Sequence, residues 1–232
     1  MRNAALLKKT NLADEIAHYI RKKIILGQFH SDYHLNEVAL AQEFEVSRGP
    51  VREALKYLEV EGFVYSPRNG RTRVRVFSKS SFMDYQQIRF HLECEACNKI
   101  IDTAQNHSHK QWLNEMQTIV EEMMQAEKKD DNPTVNEKDF LFHDKLVERS
   151  ESIIFISMWK SLSGIRRSVM ETNRMAQIRE SQPAGELANV HRNILVSLEQ
   201  QNKEAVGWAL KTHYSQGQSN FKFYHVPLDE EG

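Results

Sequence analysis

The sequence predicts a mainly α-helical protein with an N-terminal winged helix-turn-helix and a C-terminal antiparallel helical bundle. Three observations support this fold class. Two short helical patterns lie close together before residue 60, a strand and hairpin signal follows them, and apolar residues then recur at spacings of three and four as far as residue 222. The predicted boundaries are 1–77 for the first domain, 78–83 for a polar linker, 84–222 for the bundle and 223–232 for a tail.

The segment from residue 46 to residue 58 predicts a short helix with two arginines on one face. Ser47 suits the N-cap because its hydroxyl can accept from a first-turn amide, and Pro50 costs little where an N–H would have no partner. Arg48 and Arg52 are four residues apart and therefore project from the same face. The apolar stripe of this helix is Val51, Ala54, Leu55 and Leu58. Such a helix fits the major groove of DNA, where guanidinium groups bind base edges and phosphates.

The residues on either side complete a winged helix-turn-helix. Residues 35–44 predict the preceding short helix of the motif. Gly62 suits the left-handed position that follows a helix. Residues 63–65 and 72–76 then predict two strands, the second with β-branched residues alternating with arginines.

The predicted wing carries basic residues at its tip. Asn69 and Gly70 form the strongest short hairpin signal, and Arg68 and Arg71 flank them, in position to contact phosphate or the minor groove. An alternative is that the arginines only solvate a helix face, but the cap, turn and wing together favour DNA binding. The predicted DNA-binding residues are Ser47, Arg48, Gly49, Arg52, Arg68, Asn69, Gly70 and Arg71.

Residues 12–76 resemble the DNA-binding domain of the GntR family of bacterial transcription regulators. The segments that match the pattern of that family are residues 24–29, 35–37, 46–55 and 58–62. The resemblance implies that the protein binds a double-stranded DNA operator. Ser31 and Asp32 replace the usual Pro-Gly, and Gly49 replaces a position that often carries Thr. The resemblance therefore does not extend to the operator sequence, because Gly49 lacks a side-chain donor.

The distribution of charge agrees with a DNA-binding domain joined to a second domain. Residues 1–77 carry 13 Lys and Arg against 9 Asp and Glu, whereas the remainder carries 18 against 23. No apolar run approaches the roughly 20 residues of a membrane span, and the N-terminus lacks the pattern of a signal peptide. The two cysteines are too few for a disulfide framework. These features predict a cytoplasmic protein.

Four residues in the second half form a candidate metal site. Asp139 and His143 are four apart and therefore share a helix face, and His191 and His213 lie beside apolar residues on the last two predicted helices. One carboxylate and three imidazoles would bind a divalent metal ion. From spacing alone, histidines that are buried with satisfied hydrogen bonds explain the pattern at least as well, so both interpretations remain open.

Residues 84–222 resemble the all-helical ligand domain, of the FCD type, in the FadR-like branch of the GntR family. In many members an Asp-x-x-x-His pair and two later histidines hold a metal, so the resemblance implies Asp139, His143, His191 and His213 as ligands of a Zn, Ni or Mn class ion. It also implies effector binding and dimerisation. Val190 stands where a glutamate usually precedes the third ligand, which predicts that this hydrogen-bond partner is missing.

Arg89 is the candidate effector-binding residue. Related proteins place an arginine of the first bundle helix near the ligand cavity, and a guanidinium can bind a carboxylate through two parallel hydrogen bonds. An ion pair between Arg89 and Glu93, at i,i+4 spacing, is an equally good explanation of this residue.

These features predict a homodimeric transcription regulator that senses a small carboxylate through a metal-containing helical domain. Repression is predicted in preference to activation. One alternative is that the metal itself is the signal. The other is a metal-dependent phosphohydrolase of the HD type, because His143 and Asp144 spell its dipeptide. That enzyme requires a further aspartate downstream, and Asp229 in the tail is the only one available. We therefore predict that the protein is not an enzyme.

Overall fold

The computed structural model describes residues 12–67, 71–75, 77–103, 107–179 and 187–220. These residues fall into two units. The first includes the chain up to Lys79 together with Gly164–Thr172, and the second consists of Ser80–Ser163 and Asn173–Lys222. The predicted fold class is confirmed, because the described residues are mainly helical and the few strand residues all lie in the first unit. The predicted tail, 223–232, lies outside the described residues.

The first unit is built on three short helices. They are α1 (Leu12–Ile25), α2 (Glu37–Glu43) and α3 (Arg48–Val60), and both α1 and α2 pack against α3. The stripe predicted for α3 is its buried face, so the opposite face of this helix remains available to solvent. The apolar core of these helices contains Ile16, Ile20, Ile24, Leu40, Ala41, Val51, Ala54, Leu55 and Leu58.

The two helices of the helix-turn-helix motif begin differently. The side chain of Asn36 caps α2 by accepting from the amides of Val38 at 2.8 Å and Ala39 at 3.3 Å. Ser47 occupies the N-cap of α3 with extended backbone, but its hydroxyl makes no capping hydrogen bond, so that part of the prediction is wrong. An N-cap side chain usually accepts from the backbone amide of the second or third helical residue. The third residue of α3 is Pro50, which has no N–H to donate.

A two-stranded wing follows α3. Gly62 adopts the left-handed conformation, with φ of 81°, and the amide of Phe63 donates to the carbonyl of Leu58 at 2.9 Å, which closes the helix. Strands β1 (Val64–Tyr65) and β2 (Arg73–Val74) then pair antiparallel. Val64 lies opposite Val74, and both side chains are buried. The predicted hairpin tip, with Arg68, Asn69 and Gly70, lies outside the described residues.

The remaining described helices all have residues in the second unit. They are α4 (Lys79–Thr103), α5 (His107–Glu127), α6 (Asn132–Arg149), α7 (Ile153–Ser161), α8 (Ser163–Arg179), α9 (Leu187–Glu199) and α10 (Lys203–Asn220). Helix α4 begins at Lys79, so most of the segment predicted as a linker is helical. Helix α5 packs against α6 and α9, and α9 packs against α10. The apolar core between them includes Leu92, Ile100, Met116, Met123, Phe142, Leu146, Ile194, Leu198 and Leu210.

The helical pattern over residues 152–177, which predicts a single helix, forms two helices instead. Helix α7 ends at Ser161, and the amide of the C-cap residue Leu162 donates to the carbonyl of Trp159 at 3.1 Å. The hydroxyl of Ser161 bonds to the carbonyl of Met158 at 2.7 Å, and Gly164 follows in α8. A backbone-bonding serine and a glycine so close together weaken a helix, and this explains the break.

The first part of α8 packs within the first unit, against α1. Ser168 and His18 hydrogen-bond through Oγ and Nδ1 at 3.2 Å, and Arg167 pairs with Glu15 at 3.3 Å. A Cβ atom at Gly164 would lie 2.6 Å from Nη2 of Arg21, so only glycine fits against this arginine without rearrangement. Among the described helices, none combines the length and the apolar character that crossing a membrane requires.

Candidate DNA-binding surface and buried histidine cluster

The two arginines predicted to bind DNA lie on the exposed face of α3. The side chain of Arg48 is 58% exposed and that of Arg52 is 55% exposed. Arg71, on the described side of the wing, is also exposed. A duplex can therefore approach these side chains without any rearrangement of the core of this unit.

Glu37 holds both arginines in one orientation, a role that sequence reasoning missed. Its Oε2 lies 3.0 Å from Nη2 of Arg48 and 3.0 Å from Nη2 of Arg52. These hydrogen bonds, first that from Arg52 and then that from Arg48, lower the pKa of Glu37. The first residue of α2 thus aligns the arginines of α3, and only the packing angle of the two helices reveals that contact.

The start of α3 offers an open approach to its backbone. A Cβ atom at Gly49 would have the Oγ of Ser47 as its nearest neighbour, at 3.8 Å, which is ordinary van der Waals contact. Packing therefore does not require glycine here. The absence of a side chain leaves the first turn of the helix, with its positive end of the helix dipole, unobstructed.

The four candidate metal ligands converge at one buried point. Helix α6 supplies Asp139 and His143, α9 supplies His191, and α10 supplies His213. One ligand atom from each residue lies within 4.8 Å of all the others. Nε2 of His143 lies 3.0 Å from Nε2 of His213 and 3.3 Å from Nε2 of His191. Oδ1 of Asp139 lies 3.1 Å from Nε2 of His191 and 3.5 Å from Nε2 of His143.

The hydrogen bonds at Nδ1 of His143 and of His191, on the side of each ring away from the cluster, fix the tautomer of these two imidazoles. Nδ1 of His143 donates to Oε2 of Glu93 at 2.7 Å, and Nδ1 of His191 donates to the carbonyl of Leu187 at 2.8 Å. Because Nδ1 carries the proton in each neutral ring, Nε2 presents a lone pair to the cluster. Lone pairs that face one another at about 3 Å repel unless a cation lies among them, so this donor set fits a divalent metal ion.

The charges around the cluster also favour a cation at this point. Burial lowers the pKa of His143, but the carboxylates of Glu93 and Asp139 outweigh it and raise the pKa above its usual value. Burial, followed by the neighbouring His143 and His191, holds the pKa of His213 well below its usual range. The buried carboxylates therefore favour a positive charge at this point of the cluster.

Two partners of the ligands differ from the sequence prediction. Val190 cannot replace the glutamate that usually precedes this ligand, and the backbone carbonyl of Leu187 accepts the proton of the His191 imidazole instead. Glu93 is a second such partner, because its carboxylate accepts from His143, whereas its spacing in the sequence indicates only an ion pair with Arg89. Its position one helical turn after Arg89 gave no indication that α4 faces α6 at this point.

Arg89 lies in a cage of aromatic rings next to the cluster. Its guanidinium carbon is 5.0 Å from the ring centre of Tyr214, 5.4 Å from that of Trp159 and 5.6 Å from that of Tyr85. The ion pair with Glu93 forms, but its shortest distance is 3.6 Å. Burial opposes the charge on Arg89, whereas the phenol oxygens and the Glu93 carboxylate favour it, and the pKa of Arg89 is raised.

Three buried side-chain atoms have no hydrogen-bond partner among the described residues. They are Nε of Arg89, Oε1 of Gln86 and Nδ1 of His213. Buried polar atoms are rarely left unpaired, because each one loses its hydrogen bonds to water. A bound molecule that accepts a hydrogen bond from Nε of Arg89 would remove this cost at the guanidinium.

Asp144 does not take part in the cluster. Its Oδ1 accepts from the indole nitrogen of Trp159 at 2.6 Å. The His-Asp dipeptide therefore does not act as a pair of metal ligands, which removes the observation that favoured a phosphohydrolase.

The sequence matches two described protein families. "Bacterial regulatory proteins, gntR family" matches residues 12–74, and the FCD domain matches residues 84–216, more than half of the chain. The chain is 25% identical over 177 residues to the gluconate operon transcriptional repressor of Bacillus subtilis (strain 168), covering 76% of this chain and 71% of that protein. It is 28% identical over 207 residues to the "Probable D-xylose utilization operon transcriptional repressor" of Paenarthrobacter nicotinovorans, covering 89% and 87% respectively.

A solved structure has the same fold. E. coli McbR/YncC superposes with a TM-score of 0.63 at 21% identity, covering 90% of this chain and 95% of that chain. The winged helix-turn-helix, the helical second domain and these matches define a DNA-binding transcription regulator and not an enzyme. The chain belongs to the GntR family, in the group that carries an FCD domain, and the predicted resemblance is confirmed.

Proposed function

We propose that this regulator is a homodimeric repressor that releases its operator in response to a small carboxylate, which binds beside a divalent metal ion and Arg89. The observation that carries the proposal is the inward convergence of three imidazole nitrogens and one carboxylate, adjacent to a buried arginine with an unpaired Nε atom. The names of the two curated relatives support repression. A regulator of this kind acts on DNA in the cytoplasm.

For DNA binding, we propose direct contacts from Ser47, Arg48, Gly49 and Arg52 in the major groove. The exposure of both arginines supports this assignment, as does the unobstructed first turn of α3. The wing residues Arg68, Asn69, Gly70 and Arg71 are proposed to contact phosphates or the minor groove. A homodimer would place two copies of α3 in successive major grooves of a roughly palindromic operator.

Arg52→Ala should weaken operator binding by at least about tenfold, because a charge-assisted contact to a base or phosphate is lost. The measurement is a mobility-shift titration against a duplex selected from a random pool by the unaltered protein. Lys110→Ala, which removes one exposed positive charge from α5, is the matched control and should bind normally. Equal affinity of the Arg52 variant and the control would exclude Arg52 from the interface.

For the metal, we propose Asp139, His143, His191 and His213 as ligands of a Zn, Ni or Mn class ion. Three nitrogen donors and one oxygen donor suit these ions. The bound ion would supply a fixed positive charge that attracts a carboxylate, provided that its coordination number leaves a position open. Four protein ligands already complete a tetrahedral zinc site, and this observation favours the second candidate function, in which the metal itself is sensed.

His191→Ala should reduce the metal content of the purified protein from about one ion per chain to a small fraction, because one of four ligands is lost. It should also abolish the response to effector while leaving operator affinity nearly unchanged. Elemental analysis and mobility-shift titration measure the two properties. His91→Ala, an exposed histidine on α4, is the control and should retain its metal. A His191 variant that responds normally would remove the metal from the mechanism.

For the effector, we propose a carboxylate that binds the guanidinium of Arg89. Arg89→Lys should weaken carboxylate binding by at least about tenfold, because lysine retains the charge but loses the planar pair of donors. Calorimetry with a panel of small carboxylic acids, on metal-loaded and metal-free protein, measures this. A carboxylate sensor should bind acid only when loaded, whereas a metal sensor should bind the metal tightly and none of the acids.

For dimerisation, we propose that the exposed apolar residues of α7 form part of the interface. Ile153 is 83% exposed and Ile154 is 65% exposed, and Met158 on the same helix is also exposed. Adjacent large apolar side chains on a surface mark a contact with another protein.

Ile154→Asp should therefore convert the dimer to a monomer at micromolar concentration, because the interface would have to bury a carboxylate. Light scattering coupled to size-exclusion chromatography determines the mass. Val60→Asp, at an exposed apolar position on α3 of the first unit, is the control and should leave the mass unchanged. A dimeric Ile154 variant would place the interface elsewhere.

A further inference from the structure

The carboxylate of Glu93 lies fully buried between the histidine cluster and the aromatic cage. Its Oε2 accepts from Nδ1 of His143 at 2.7 Å, and its Oε1 accepts from the hydroxyl of Tyr214 at 2.5 Å. Oε1 also lies 3.6 Å from Nη2 of Arg89. We infer that Glu93 is a positioning residue that orients His143 for metal binding and transmits changes at Arg89 to the metal centre. This inference rests on the proposed metal function.

The orienting role follows from the geometry around His143. A carboxylate that accepts from Nδ1 fixes the tautomer and the ring angle, and it makes Nε2 a better electron donor to a metal. The hydroxyl of Tyr214 prevents the carboxylate from rotating, because rotation would break a buried hydrogen bond. His191 has only a neutral carbonyl in the corresponding position, that of Leu187. His143 is therefore the ligand whose donor strength depends on a charged residue.

The transmitting role follows from the sharing of Glu93 between Arg89 and His143. Arg89 and His143 approach different oxygens of the same carboxylate. An anion that binds the guanidinium of Arg89 would weaken its attraction for Glu93, so that more of the negative charge acts on His143. The two sites are thereby linked, and the linkage is reciprocal, since metal binding must alter anion affinity by the same factor.

Glu93→Gln tests the orienting role. The amide has nearly the same shape but no charge, and the affinity for Co²⁺ should fall about 10- to 100-fold, as is usual for partners of metal ligands. Competition with a chromophoric chelator measures the affinity. In the zinc-loaded variant, the Nδ1 proton resonance of His143 should move upfield and exchange faster with water, which a general loss of packing would not produce selectively. Glu95→Gln, exposed on the same helix, is the matched control and should change neither property.

A double-mutant cycle tests the transmitting role. The effect of Arg89→Gln on Co²⁺ affinity should differ at least about threefold between the unaltered protein and the Glu93→Gln background, which is the lower end for residues in one network. Equal effects in both backgrounds would mean that Arg89 acts on the metal directly through space, and the transmission would be refuted.

Tyr214→Phe gives an independent test if the Glu93 variant does not fold. It leaves the carboxylate in place but removes the hydrogen bond that holds it, so the Nδ1 proton of His143 should shift in the same direction by a smaller amount. An unchanged resonance and unchanged Co²⁺ affinity in this variant would overturn the inference. Failure of the unaltered protein to bind Co²⁺ or Zn²⁺ would instead overturn the proposed metal function, so the two failures are distinguishable.

Discussion

Three imidazole nitrogens and one carboxylate oxygen meet at a buried point, an arrangement that a bound cation would stabilise. The ligand residues come from α6, α9 and α10, and Glu93 adds α4 through its hydrogen bond to His143. Four helices of the second unit thus bring polar side chains to one point, where a bound cation would stabilise the arrangement. Apolar side chains at these positions would stabilise the core more than buried polar ones do. A bound ligand would offset that cost to the stability of the protein.

The protein uses carboxylates to hold arginines in two places, with opposite consequences. Glu37 pairs with Arg48 and Arg52 at the surface, where water screens the charges and such pairs add little to stability. In the proposed complex, DNA phosphates would displace Glu37 at little cost, and in the free protein Glu37 holds both guanidinium groups together. The carboxylate of Glu93 is fully buried beside His143, and removing the hydrogen-bond partner of a buried charge is strongly destabilising. The first carboxylate can be exchanged for a ligand, whereas the second is a permanent part of its site.

Local sequence patterns predicted the fold class, both domain types and the four residues of the cluster, because each of these depends on spacing along the chain or on a family motif. Asp139 and His143 share a helix face by periodicity alone. Contacts between helices were not predictable in this way. Glu37 and Glu93 are ordinary helix glutamates in the sequence, and they acquire a role only because α2 crosses α3 and α4 faces α6. The break between α7 and α8 was missed for a related reason, since apolar periodicity continues across Leu162 while the backbone hydrogen bonds do not.

The arrangement around Arg89 also explains how a small anion could bias this domain. A ligand changes an equilibrium only as far as it binds one conformation better than another. Arg89 belongs to α4, whereas all four candidate metal ligands belong to α6, α9 and α10. An anion that contacted both the guanidinium and the ion would add an attraction between α4 and the other three helices, and it would favour the conformation in which the two charges are closest. Glu93 already joins the same two groups, so the anion would strengthen a connection that the fold contains and would not have to create a new one.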